Sequence, residues 1–489
     1  MTAPITADVP HPEDDACSNP LLSPTIGDVI LARCNRREAL RGLTAVAALA
    51  TLAPLSAVSG AVSGAARAAT LASPLQFTEI PHGNTETHLV AEGYEAQTLI
   101  RWGDPLEKGA PVFDPMAQSA DKQAKQWGYN NDYVGWMPLP AQSGDPAHGL
   151  LCVNFEYTDA QLVFPGLKEG EIGKMTKEQC AIEMAAHGHG IVEIRRDNGA
   201  NAWKVVADSP YNRRITTLAT ECRLSGPAAG HDRLKTNTDA TGTKVTGTLN
   251  NCAGGKTPWG TYLTCEENFN GYFGANGELP TDEVLAEGYT RYGISAEGWG
   301  YDYHKWDARF DVAANPNEPH RHGWVVEIDP TDPQSTPVKH TGLGRFKHEN
   351  AEVVLARDGR VVVYMGDDER GEFLYRFVSN GVYTPGGATE GLLDDGMLSV
   401  ARFNDDGTGE WLDLTPESTG MDMAEILVFA RTAGSRVGAT TMDRPEWVAV
   451  NPYAVEAYCC LTNNTRRTQT QVDPVNPRAQ NAFGSIVRW

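Results

Sequence analysis

From residue 150 onward the chain carries short apolar runs separated by turn residues. Leu150 to Thr158, Gly190 to Arg195, Trp259 to Cys265, Trp324 to Ile328, Ala351 to Leu355, Arg360 to Met365 and Phe373 to Val378 each have the length and side-chain make-up of a strand. Arg357-Asp358-Gly359 joins two of these runs as a hairpin, with glycine available for positive φ. Two segments carry helical punctuation. One opens at the capping box Thr176-x-x-Gln179 and stops before Gly188; the other runs from about Asp422 to Thr432, ahead of Gly434. No low-complexity linker interrupts the chain beyond its first segment, so residues 69–489 read as one all-β domain with a few short helices.

Internal repetition sharpens that picture. His187-Gly188-His189-Gly190-Ile191-Val192-Glu193-Ile194 is echoed by His320-Arg321-His322-Gly323-Trp324-Val325-Val326-Glu327-Ile328. Cys252, Glu349 and Glu446 follow one another at intervals of 97 residues. Each precedes a strand, a turn, a second strand and a polar cluster: Glu266-Glu267-Asn268, Gly366-Asp367-Asp368-Glu369-Arg370 and Asn463-Asn464-Thr465-Arg466. Hairpins that each present one potential ligand at a common place describe repeats converging on an axis, and a β-propeller is the leading expectation. A β-sandwich with chance spacing is the alternative.

The start of the chain has a different character. Asn35-Arg36-Arg37-Glu38-Ala39-Leu40-Arg41 sets paired arginines ahead of an uncharged apolar run from Thr44 to Ala57, and Ala66-Arg67-Ala68 offers an A-x-A cleavage site. This is the layout of a twin-arginine export signal over residues 1–68. It implies passage through the twin-arginine translocase and a periplasmic or secreted product. The apolar run is too short to span a membrane, and no span is expected in the mature chain. A net charge of -22 argues against nucleic acid or an anionic membrane as partner and leaves many hard oxygen ligands for cations. Seven of the nine cysteines lie beyond the signal: Cys152, Cys180, Cys222, Cys252, Cys265, Cys459 and Cys460. An odd count leaves at least one thiol unpaired, no C-x-x-C pair suggests zinc, and core packing is the expectation for Cys459 and Cys460.

Beyond the signal there is no G-x-S-x-G elbow, P-loop, H-E-x-x-H or EF-hand loop, so serine hydrolase and nucleotide chemistry are unsupported. The chain offers instead a thiol and a set of carboxylates. Thiolate with carboxylate suits a transition metal, whereas all-oxygen clusters suit calcium.

Several segments, in order along the chain, resemble the PhoX-type alkaline phosphatases. They are Gly128-Tyr129-Asn130-Asn131-Asp132-Tyr133, Val153-Asn154-Phe155-Glu156-Tyr157-Thr158, Asn251-Cys252-Ala253-Gly254-Gly255 with Thr257-Pro258-Trp259-Gly260-Thr261, Leu263-Thr264-Cys265-Glu266-Glu267-Asn268, Lys347-His348-Glu349-Asn350, Met442-Asp443-Arg444-Pro445-Glu446 and Leu461-Thr462-Asn463-Asn464-Thr465-Arg466-Arg467. The resemblance implies an extracytoplasmic phosphomonoesterase (a phosphoric monoester hydrolase), a six-bladed propeller, and a centre of iron (Fe3+) and calcium (Ca2+) with an oxo bridge. By position in these motifs, Cys252, Glu349 and Glu446 are expected to hold iron and Arg444 to hold the phosphate. Glu156, Glu267, Asp368 and Asn131 are expected as calcium ligands. Arg444 and Glu446 lie two apart, so an extended backbone points both to one face.

The chain departs from the family pattern in two places. Phe155 stands where the family commonly has histidine. The ending Ala482-Phe483-Gly484-Ser485-Ile486-Val487-Arg488-Trp489 reads as a strand without its partner, in a chain shorter than the family's usual length. A calcium-dependent propeller lactonase or esterase, and a non-catalytic calcium-binding propeller, are the alternative readings of function.

Overall fold

The expected strands form, and their hydrogen-bonding partners sort them into four sheets. The computed structural model describes residues 78, 80–81, 83–141, 143–168, 174–196 and 202–489. The expected export signal, with Cys17 and Cys34, lies outside them. By chain contacts the molecule divides at residue 96. The described residues before that point contain no helix or strand, and their one backbone turn has Tyr94 N–H donating to the Ala91 carbonyl. All that follows concerns residues 97–489.

The first sheet holds β1 (Asn131–Pro138), β2 (His148–Phe155), β3 (Gly188–Arg196) and β4 (Trp203–Val205), with β5 (Arg213–Ile215) also on β3. The second comprises β6 (Glu221–Ser225), β7 (Lys244–Thr246), β8 (Asn251–Lys256), β9 (Tyr262–Glu266), β10 (Val325–Ile328) and β11 (Val338–His340), in the order β7-β6-β11-β10-β9-β8. Only its β6–β11 pair is parallel. The third is a meander of β12 (Glu352–Leu355), β13 (Arg360–Gly366), β14 (Leu374–Val382), β15 (Gly396–Phe403) and β16 (Gly409–Asp413). The fourth has β17 (Pro445–Val450), β18 (Ala457–Leu461) and β19 (Ser485–Arg488). The closing run therefore has a partner after all: Cys459 and Cys460 pair with Val487 and Ile486.

Successive sheets are glued by apolar clusters. Cys152, Ile191, Tyr262 and Ile328 fill the space between the first and second sheets, Trp324, Val363 and Tyr375 that between the second and third, and Leu374, Ala401, Val448 and Val487 that between the third and fourth. This is a predominantly β fold of four sheets with few helices, and not a two-layer sandwich. The described sheets do not close into a ring, and the six blades implied by the resemblance do not occur as six sheets. No backbone ladder joins the fourth sheet to the first; they meet through Tyr133 and Trp447, whose rings lie 5.5 Å apart.

The inner strands β1, β8, β12 and β17 pack against one another in that order, and they approach too closely for side chains at some points. A Cβ on Gly255 would overlap the Ala351 carbonyl, and one on Gly366 would overlap the carbonyls of Pro445 and Glu446. Side-chain amides lace the gaps. Asn154 Nδ2 donates to the carbonyls of Cys252 and Ala253 at 2.7 and 2.9 Å. Asn350 exchanges a pair of 2.9 Å bonds with the Val448 backbone, as a strand residue would.

Among the helices, α1 (Lys177–Ala186) opens at the expected Thr176 capping box. A second, α2 (Glu283–Tyr292), packs on a cluster of tyrosines and phenylalanines. The helix expected from Asp422 is two, α3 (Met423–Val428) and α4 (Ala430–Arg436), because Phe429 leaves helical geometry with ψ 47°. Among the described residues no helix is long and apolar enough to cross a membrane. All seven described cysteines are unpaired. Cys460 is exposed rather than packed in the core, because strand alternation sends its neighbour Cys459 inward.

Two outcomes test this packing. Gly255→Ala should cost about 1–3 kcal/mol in denaturant unfolding, whereas Gly144→Ala, with nothing within 4 Å, should be neutral. The second concerns His340, buried between Asp394 at 2.9 Å and Glu327 at 3.0 Å. Burial alone would lower its pKa, but the Asp394 and Glu327 carboxylates override burial and hold it at about 9. A raised pKa stabilises fully below the unfolded value and is lost as pH rises through the folded one. The stability difference between the native chain and His340→Gln should thus be largest near pH 6 and shrink steadily as pH approaches 9, as read by unfolding at each pH.

Candidate metal centre

Each inner hairpin is closed at its mouth by the same backbone hydrogen bond. The N–H of Glu156 donates to Asn130 O at 3.2 Å, Glu267 to Asn250 O at 3.0 Å, Asp368 to Lys347 O at 3.0 Å and Thr462 to Arg444 O at 3.3 Å. In three cases the acceptor directly precedes the first strand and the donor directly follows the second; in the third hairpin Lys347 stands five residues before β12 and Asp368 two after β13. Two residues beyond each acceptor lie Asp132, Cys252, Glu349 and Glu446, so the period of two directs all four the same way. Three acceptors have left-handed backbones: Asn130 at φ 55°, Asn250 at φ 45° and Arg444 at φ 52°. Asparagine tolerates this region; arginine adopts it at a cost, and such strain concentrates at functional sites.

The clasps bring the donors together. Asp132, Glu156 and Cys252 form one group, Cys252, Glu267 and Glu349 a second, and Glu349, Asp368 and Glu446 a third, with the ligand atoms of each group within 4.8 Å of one another. Because Cys252 and Glu349 are shared, the three groups are one continuous cluster. Cys252 Sγ lies 3.5 Å from Asp132 Oδ2 and 3.4 Å from Glu349 Oε2. Arg444 borders it, with Nη2 donating to Asp368 Oδ2 at 2.6 Å and lying 3.5 Å from Glu446 Oε1. Arg444 and Glu446 do share a face.

Six of the seven expected metal ligands meet here. The seventh, Asn131, is exposed, and its Oδ1 accepts from the Trp127 indole N–H at 2.8 Å. Its neighbour Asp132 is the residue of that segment that joins the cluster, since one step along a strand reverses the side chain. Asp132 stands 120 residues before Cys252 and so escapes the interval of 97. The signal that finds it is the parallel between Asn130-Asn131-Asp132 and Asn250-Asn251-Cys252. Phe155, where histidine was expected, is fully buried against Trp127 with the Arg214 guanidinium 4.7 Å over its ring.

So many acids in one place disfavour their own ionisation. Burial pushes the Glu156 carboxyl up to about 8, with Asp132 adding to it. Burial and then the neighbouring carboxylates raise Glu267 and Glu349 far above the usual range. The Cys252 thiol is driven up by burial and then by Glu349, Glu267, Glu156 and Asp132. Arg444 moves the other way: burial lowers it, but Asp368 and Glu446 more than compensate. One guanidinium cannot neutralise six carboxylates. Cations can, and the residues fit them: Asp368 Oδ1 is buried with no hydrogen-bond partner, the oxygen donors suit a hard cation, and the Cys252 sulfur suits a transition metal.

A donor cluster of this charge, gathered by four hairpins and bordered by a guanidinium, is a candidate metal centre. The chain belongs to the alkaline phosphatase PhoX family, whose model matches residues 75–489. With that family it is a phosphoric monoester hydrolase. Among solved structures, it is similar to Pseudomonas fluorescens PhoX in complex with vanadate, a transition state analogue, at 46% identity and a TM-score of 0.78, over 85% of this chain and 73% of that one. No curated protein matches the chain.

Divalent cation added to metal-stripped protein should raise its melting temperature in a concentration-dependent way, by the equivalent of about 2.7 kcal/mol at a hundredfold excess over Kd. Glu349→Gln, which removes a shared ligand, should abolish most of that shift in the same titration.

Proposed function

We propose that the protein is an exported phosphomonoesterase that releases inorganic phosphate through an iron and calcium centre. The observation that carries this reading is the continuous donor cluster with Arg444 at its border, in a chain of this family. Cys252, Glu349 and Glu446 would hold iron, since the cluster's one sulfur lies among them. Asp132, Glu156, Glu267 and Asp368 would supply oxygens to calcium. When bound, the metals neutralise the charge of the phosphate and make phosphorus more electrophilic.

The chain's own groups do the rest. Asp368 grips one nitrogen of Arg444 and so orients the guanidinium along the edge of the cluster. The remaining N–H groups of that fork are left for phosphoryl oxygens, whose charge grows as the leaving group departs. A vanadate complex of the Pseudomonas fluorescens relative supports placing a phosphoryl group in the same centre here. Arg444 holds this place from a left-handed backbone position directly before β17, a conformation that carries a cost for arginine. The four sheets would be blades of a propeller with this centre at its axis, and residues 1–68 would direct the folded protein outward through the twin-arginine translocase.

Glu446→Ala should lose bound iron together with turnover of a chromogenic phosphate monoester; full activity in that variant would refute the assignment. Arg444→Lys keeps the charge but not the fork, and kcat/KM should fall about 10- to 100-fold with metal content unchanged. Calcium chelation should stop turnover and calcium return restore it, and replacing Arg36 and Arg37 with Lys should keep the enzyme in the cytoplasm.

A further inference from the structure

Beside the cluster, on the side of Glu156, opens a cleft of about 350 Å³. Its walls include Tyr157, Trp299 and Tyr301, and deeper within it Met175, Thr158 and Glu183. Two connections tie it to the cluster. Tyr157 directly follows Glu156 in the chain, and Tyr301 is close enough to feel the Glu156 charge. On the other side, the Trp299 ring lies 5.6 Å from the ammonium of Lys347, two residues from Glu349.

The aromatic walls are displayed to solvent rather than spent on the core. Trp299 is 52% exposed and Tyr157 45%. Trp299 stands at the tip of a turn between Gly298 at φ 58° and Gly300 at φ 92°, conformations that side chains resist. Space enforces the first glycine too, because a Cβ there would meet the Phe273 carbonyl oxygen. Tyr301, by contrast, is fixed, stacked on Tyr272 at 4.2 Å; the Tyr272 hydroxyl in turn accepts from Asn250 Nδ2 and donates to His187 Nε2, and the Nδ1–H of that imidazole donates to the Glu183 carbonyl. Glu183, fully buried, accepts from the Tyr303 hydroxyl at 3.4 Å and lies beside Thr158. A large aromatic held half in water by glycines, in a cleft shared with a fixed tyrosine, is a recognition surface for a flat molecule.

We infer that this cleft is the leaving-group subsite, in which Trp299 stacks on planar, uncharged groups such as a nucleoside or an aryl ring while the phosphoryl group sits at the cluster. The inference rests on the phosphatase reading. It makes Trp299 a specificity residue for esters whose alcohol carries a ring. An aliphatic ester such as glycerol phosphate reaches the cluster without using the cleft.

The test compares kcat/KM for adenosine monophosphate and for glycerol 3-phosphate in the native enzyme, Trp299→Ala and Trp299→Phe, alongside calorimetric binding of adenosine, which has no phosphate. With Trp299→Ala, the adenosine ester should lose about 5- to 100-fold, as expected for loss of one stacking platform. Glycerol 3-phosphate should change less than about twofold, and Trp299→Phe should restore most of the loss. Adenosine should bind the native protein and not Trp299→Ala. An equal fall for both esters, or no fall for either, overturns the subsite. If the native protein hydrolyses neither ester, the phosphatase reading fails, and the subsite stands or falls on the adenosine measurement alone.

Discussion

The centre depends on a single repeated interaction, the backbone hydrogen bond that closes the mouth of each inner hairpin. It fixes register where register matters most. In a strand, a slip of one residue sends every side chain to the opposite face. With Glu156, Glu267, Asp368 and Thr462 pinned to Asn130, Asn250, Lys347 and Arg444, the residues two places further on must all turn toward the cluster. The clasp delivers a ligand at each end: Asp132 with Glu156, Cys252 with Glu267, and Glu349 with Asp368. The fourth hairpin departs from the rule. Its donor is Thr462, and its acceptor, Arg444, contributes a side chain of its own. The fourth hairpin thus brings a carboxylate, Glu446, and a guanidinium, Arg444, to the same border of the cluster.

Bringing donors from four hairpins within a few ångströms requires the backbones behind them to touch. That is why Gly255 and Gly366 have no room for a Cβ, and why Asn154 and Asn350 cross the gaps to bond the next strand's backbone. Close approach leaves backbone groups without a ladder partner, and a side-chain amide, which carries both a donor and an acceptor, is the group that can replace one. The same closeness creates the electrostatic problem. Each carboxylate loses water and gains like-charged neighbours, two effects that raise its pKa together. Against this the chain sets Arg444 and, more distantly, Lys347, whose ammonium pairs with Glu369 and acts on Glu267, and the two cations do not balance the six carboxylates.

Much of this was legible in the sequence, and the failures have specific causes. Local signals worked where they are chemically complete: the Thr176 box caps its helix, and Gly359 turns its hairpin at φ 85°. The interval of 97 worked because the second, third and fourth hairpins are spaced alike. It missed Asp132 because β3 to β7 and their connections lie between the first hairpin and Cys252. Choosing Asn131 over Asp132 was an error of one residue, which on a strand is an error of a whole face. Phe429 broke a helix that periodicity ran straight through, since tertiary packing and not local propensity sets that residue's ψ. The exposed aromatics of the cleft left no motif at all. Glycines on both sides of Trp299 were visible, but glycine is common here, and only the fold shows that this pair holds a ring beside the cluster.

Adjacent residues at the end of β9 show how the fold separates structure from chemistry. Glu266 and Glu267 are both buried acids, and alternation sends them opposite ways. Glu266 receives the Lys339 ammonium at 2.8 Å, with His322 at 3.4 Å and the backbone N–H groups of Gly323 and Trp324 within reach. Burial would raise it, but Lys339 and His322 hold it at about 2. Glu267 receives no such cation, and burial with Glu349 and Asp368 pushes it far up. The protein supplies counter-charge from its own side chains again for Glu327 and Asp394 around His340. Among the described residues Glu267, Glu349 and Glu156 have no ion pair, as the lone buried Glu183 has none, but unlike it they stand together in one cluster. These acids are buried together with a charge that the chain's own side chains do not balance, which is the physical ground for reading their cluster as a cation site.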